Sequence, residues 1–119
     1  MVLFDFRTRD TQRDHQTDMG RLQRLYQLLG VVRAEMEQEK SGLRDRYEKV
    51  MADAAFSQQR LEDGRDGAAI SSKVDDLTDT MIRYSKRIAS LETQIDFVAE
   101  MDRRLELFPR ENAGKKVAS

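Results

Sequence analysis

From Ile70 to Ile95, apolar residues fall at alternating steps of four and three: Ile70, Val74, Leu77, Met81, Tyr84, Ile88, Leu91 and Ile95. That spacing keeps one stripe of a helix turned toward a partner helix, as the a and d positions of a coiled coil do. An earlier stretch carries the same rhythm. Leu22, Leu25, Leu29, Val32 and Met36 open it, and Leu43, Tyr47, Val50, Ala54 and Leu61 continue it, with polar Lys40 and Ser57 filling two steps.

The two runs mirror one another. Facing residues of an antiparallel pair have position numbers with a nearly constant sum, and here each such pair couples an a position to a d position: Leu61 with Ile70, Val50 with Met81, Tyr47 with Tyr84, Leu43 with Ile88, Lys40 with Leu91, Met36 with Ile95. Beyond Ile95 a strict heptad would bury Asp102, which has no evident partner in the sequence. Val98, Met101, Leu105 and Phe108 instead carry the seam onward with a one-residue slip, answered on the first helix by Val32, Leu29, Leu25 and Leu22. A local change of supercoil is expected at such a slip. A parallel coiled coil between two chains is the rival, since Ile88 and Ile95 at a with Leu77 and Leu91 at d suit it. It leaves unexplained both the matched slip and the break Glu62-Asp63-Gly64-Arg65-Asp66-Gly67, where two glycines offer C-cap and turn conformations. The expected fold is therefore all-α: a long antiparallel coiled-coil helical hairpin, with dimerisation into a four-helix bundle as its natural assembly.

The pattern predicts an N-terminal arm over 1–16, helix 1 over about 17–63, a turn at 64–67, helix 2 over about 68–108 and a loose, mildly basic tail over 109–119. Arg7 to Asp18 is polar without an apolar period, and Thr11 with Asp14 has capping-box spacing, so helix 1 is expected to begin there or nearer Thr17. Asp66, Ser71 and Ser72 are candidate caps for helix 2. Pro109 disfavours helical geometry in the residue before it and should end that helix. Lys40 is expected to lay its stem along the seam with the ammonium outside. Gly20, Gly30 and Gly42 lie inside helix 1, where they serve either close approach and bending or no structural purpose.

Composition fits a thin core. The 119 residues are 36% charged and 39% hydrophobic, with 21 basic and 22 acidic side chains and a net charge of −1. No block of one sign forms a nucleic-acid footprint, and Arg7, Arg9, Arg13, Lys115 and Lys116 are interleaved with acids. With no cysteine, disulfides and thiolate chemistry are excluded. No segment approaches the ~20 apolar residues of a membrane span, and the N-terminus does not resemble a secretory signal, so a cytoplasmic location is expected. His15, the single histidine, sits in a polar stretch, and Asp75, Asp76 and Asp79 suit the positive end of a helix dipole. No metal-binding, phosphate-binding or nucleophile motif occurs, and neither an enzyme nor a cofactor or metal site is expected.

Several hydrophobes are left outside the seam: Tyr26, Leu28 and Val31 on helix 1, Phe97 and Leu107 on helix 2. By the pairing rule all lie at the base of the hairpin, near the chain ends. Either Val2, Leu3, Phe4 and Phe6 fold back over them, or two hairpins join there, base to base or side by side. The second outcome leads to Leu22, Leu25, Leu28, Val31, Phe97, Leu105, Leu107 and Phe108 as the contact residues of a homodimer or of a contact with another protein. A weaker stripe, Met51, Ala52, Ala55 and Phe56 with Ile82 and Ala89, is better explained as scattered surface hydrophobes. The function expected is that of a non-enzymatic coiled-coil interaction or scaffold protein. An export chaperone or stalk-like component of a flagellar or type III-like secretion apparatus is the alternative, on architecture alone. A small nucleic-acid-binding regulator comes third.

Overall fold

The chain is an all-α helical hairpin. The computed structural model describes the backbone of residues 2–64 and 67–118 and the side chains of 11–64 and 67–109. Helix α1 spans Val2–Glu62 and helix α2 spans Gly67–Ala118. Two compact units divide it: a turn unit, Ala34–Asp96, and a terminal unit, Met1–Arg33 with Phe97–Ser119.

In the turn unit, every seam residue expected on α1 from Met36 to Leu61 and on α2 from Ile70 to Ile95 is buried or half-buried. Leu43, Leu91 and Ile95 form the core, with Met36, Tyr84 and Ile88 packed against it. Leu91 is 1% exposed. Burial of a leucine stabilises by about 1.5–3 kcal/mol, so this cluster is the energetic centre of the unit. Lys40 interrupts it with only 18% of its side chain exposed, and its Nζ lies 3.6 Å from Glu37 Oε2, one turn earlier on the same helix. The ammonium leaves the seam, as its long stem allows.

Ion pairs flank this core on both sides. Arg87 and Glu39 bridge α2 to α1, as do Lys73 and Asp53 at 3.3 Å and Arg44 and Glu92 at 3.0 Å. Counting the seam as a and d, the first two pairs join g to g and the third joins e to e. Only antiparallel helices bring like flanks together, so these pairs independently fix the direction and register of the seam. Each is solvent-exposed and contributes at most about 1 kcal/mol.

The turn forms where the glycines predict it. Gly64 takes φ +77°, a left-handed conformation that costs a residue with a Cβ about 1–2 kcal/mol, and its N–H donates to Leu61 O at 3.0 Å. The Asp63 N–H donates to Gln59 O, closing the last turn of α1. Of the candidate caps, Ser71 and Ser72 lie inside α2, while Asp66 lies outside the described residues.

In the terminal unit the slipped seam holds. Leu29 and Val98 are buried, and Leu22, Val32, Met101 and Leu105 are half-buried. The two remaining seam residues of this unit, Leu25 and Phe108, are largely exposed. Asp102 is displaced to the flank but not into water. Its side chain is 17% exposed, its Oδ2 lies 3.7 Å from Arg33, and its buried Oδ1 has no hydrogen-bond partner. Arg33 is the partner that the sequence did not reveal, reached e to e across the pair.

Two expected boundaries need correction. Helix α1 begins at Val2, so Thr11 is interior to it and there is no separate arm over 1–16. Residues 11–21 are exposed throughout. Periodicity reports burial rather than helicity, and a polar run can stay helical without an apolar stripe. Helix α2 likewise passes through Pro109 to Ala118, so 109–118 is helix where a loose tail was expected. Proline removes one backbone hydrogen bond at a cost of about 3 kcal/mol, but Pro109 is half-buried and lines a groove with Met19, Leu22 and Tyr26. That packing offsets part of the cost. Finally, a Cβ built on Gly20, Gly30 or Gly42 meets nothing within 4 Å, so none of them permits a close approach.

Candidate interaction surface

All eight residues expected to make contacts belong to the terminal unit, and the seam divides them by function. Leu22 and Leu105 are half-buried between the helices. The others open to solvent: Phe97 by 65%, Leu28 by 57%, Val31 by 56% and Phe108 by 50%, with Leu25 and Leu107 somewhat less. Met19 and Tyr26 are exposed as well. Met19 went unnoticed in the sequence because it stands alone in a polar run.

The two flanks of the unit differ in chemistry. On one side Tyr26 donates its hydroxyl to Glu106 Oε1 at 3.1 Å, and Arg33 pairs with Asp102. Donation to the Glu106 carboxylate, reinforced by its negative charge, raises the tyrosine above its ordinary ionisation range. This side carries a groove of about 250 Å³ lined by Met19, Leu22, Gln23, Tyr26, Leu105, Glu106 and Pro109. Its polar tips are tied from helix to helix.

No such tie closes the opposite flank among the described residues. The g positions that hold Glu39 opposite Arg87 in the turn unit are occupied in the terminal unit by Leu28 and Phe97. The next g positions are Arg21 and Arg104, two cations. Arg21 has Asp18 at 3.9 Å on its own helix, and Arg104 makes no ion pair across to α1 among the described residues, its charge acting on Glu100 of its own helix. A groove of about 410 Å³ lies on this side, lined by Leu22, Leu25, Met101, Arg104, Leu105 and Phe108. Nearby, Glu100 accepts two hydrogen bonds from Arg103 Nη2, the shorter 2.6 Å. Those bonds hold the Glu100 carboxyl below its usual range.

A fold-back of the N-terminus does not cover this surface. Because α1 is continuous from Val2, Phe6 lies about 24 Å along the helix from Leu22 at 1.5 Å per residue. The side chains of Val2, Leu3, Phe4 and Phe6 lie outside the described residues.

Elsewhere the surface offers little organisation. Met51, Phe56 and Ile82 of the turn unit are exposed, but Met51 sits at e and Phe56 at c, so they do not form one stripe. His15 is exposed within α1, and among the described residues no group of three or more potential metal ligands occurs. No described helix is long and apolar enough to cross a membrane. No known protein family matches the chain, and no curated protein or solved structure is significantly similar to it.

Proposed function

We propose that this protein is a non-enzymatic interaction module, a coiled-coil hairpin that self-associates through the apolar surface of its terminal unit and acts in the cytoplasm as a scaffold or adaptor. One observation carries the proposal. Of the eleven exposed large hydrophobic residues among the described side chains, eight (Met19, Leu25, Tyr26, Leu28, Val31, Phe97, Leu107 and Phe108) fall in the terminal unit, although most of the described side chains are in the turn unit. Scattered exposure needs no explanation, but contiguous apolar area is a feature of contact surfaces.

Sedimentation velocity at tens of micromolar tests this directly. The expected mass is twice that of the chain, falling to one chain for the Val31→Ser, Phe97→Ser double variant while its helicity by circular dichroism is unchanged. A wild-type chain that sediments as a monomer across that range would contradict self-association.

A further inference from the structure

We infer that the occupant of the apolar flank is a second copy of this chain, packed on it with the two α1 helices antiparallel and a two-fold axis passing beside Leu28. The inference rests on self-association through the terminal unit and specifies its face and symmetry.

The face follows from what closes the alternatives. Where the hairpin flanks meet water, in the turn unit, interhelical ion pairs cover them, and the Tyr26 flank of the terminal unit is covered in the same way by Tyr26 with Glu106 and Arg33 with Asp102. The Leu28 flank substitutes leucine and phenylalanine at the equivalent positions and then sets Arg21 against Arg104. Exposed Leu28, Val31, Phe97 and Leu107 stand on it, bordered by the charges of Arg21, Arg24, Glu100 and Arg104.

The symmetry follows from spacing. A two-fold axis in the plane of the flank, perpendicular to the helices, maps each helix onto its own copy reversed. Centred on Leu28 in α1, it brings Leu25 opposite the second copy's Val31. The register of the seam places Asp102 level with Leu28, and centring α2 there brings Phe97 opposite the second copy's Leu107. The same centre sets Arg104 opposite the second copy's Glu100. One axis thus matches apolar to apolar on both helices and faces Arg104 with a carboxylate of the second copy, added to the Glu100 charge of its own helix that Arg104 already feels. With the axis along the helices instead, Arg104 would lie on the leucines of α1 with no carboxylate opposite.

The area is sufficient. At the exposures given above, and with leucine and phenylalanine each presenting on the order of 150–250 Å² in full, the flank offers roughly 600 Å² per copy, or about 1,200 Å² for the pair. That is the lower bound of specific interfaces.

Because the chain has no cysteine, single cysteines report the face cleanly. Oxidised Leu28→Cys should form a disulfide-linked dimer in high yield, and Tyr26→Cys on the other flank should not. Arg104→Glu alone and Glu100→Arg alone should each raise the dimer Kd at least tenfold, and the double variant should return it to within about threefold of wild type. Circular dichroism verifies that each variant remains helical. If the wild type dimerises but Tyr26→Cys cross-links in place of Leu28→Cys, or the double charge reversal fails to restore affinity, this face and symmetry are overturned while self-association stands. A monomeric wild type overturns both.

Discussion

Arg87 forks onto Glu39 across the helix pair of the turn unit, its Nε 2.7 Å from Oε2 and its Nη2 3.1 Å from Oε1. The hydrogen bonds from Arg87 hold the Glu39 carboxyl below its ordinary value, with the guanidinium charge acting in the same direction. A carboxyl depressed in the folded state contributes stability above its unfolded value and loses it as pH falls through the depressed folded value. The acid limb of stability should therefore be shallower in Glu39→Gln than in wild type, and salt should narrow the difference because the pair is exposed. Urea midpoints measured from neutral pH to about pH 2 give the comparison. Identical slopes would mean that the pair does not survive in solution.

Leu91 is the most enclosed side chain of the turn unit, and Ile82 on the same helix is 47% exposed. Leu91→Ala should cost about 2–5 kcal/mol, through lost burial and the cavity left behind. Ile82→Ala should fall within about 0.5 kcal/mol of wild type. Equal costs would show that the seam runs along a different face of α2.

At Asp102 the outcome depends on the slip. A carboxylate on the flank, paired to Arg33 at 3.7 Å and leaving one buried oxygen unbonded, contributes little net stability. Asp102→Ala is expected to leave the thermal midpoint and helicity nearly unchanged. A large loss of helicity would mean that the seam passes through Asp102 and that Val98 does not lead it.

Glycine substitutions separate the turn from the helix. Gly42→Ala places a methyl group in open space within α1 and should stabilise by about 1 kcal/mol. Gly64→Ala forces a Cβ onto a φ of +77° and should destabilise by about 1–2 kcal/mol. Denaturation midpoints that moved in the same direction for both would contradict the left-handed turn.

Lys40 offers the last test. Its side chain occupies a seam position yet sends its charge to Glu37, so Lys40→Leu completes the apolar run between Met36 and Leu43 at the loss of one weak surface pair. The variant should melt at a higher temperature than wild type. A lower melting temperature would show that the ammonium does more than leave the groove.

The heptad steps and their mirror order made the hairpin legible, along with its register, its turn at Gly64 and the slip at Val98. The reason is physical: burial against a partner helix leaves a periodic trace in residue type. A run without an apolar period leaves no such trace, which is why the helical backbone of 2–16 and 110–118 was not legible in the sequence. The apolar excess of Leu28, Val31, Phe97 and Leu107 could likewise be read, since these residues stand outside the seam.

Their arrangement could not. Whether the flank that Leu28 and Phe97 share is closed by polar contacts depends on which side chains reach across the pair. Only the paired side chains settle that: Arg33 reaching Asp102 and Tyr26 reaching Glu106. The sequence by itself determined which residues meet in the seam, because hydrophobic burial is strong and periodic. The tertiary structure decided which flank is sealed and which is bare, because that rests on single polar contacts whose geometry no spacing rule encodes.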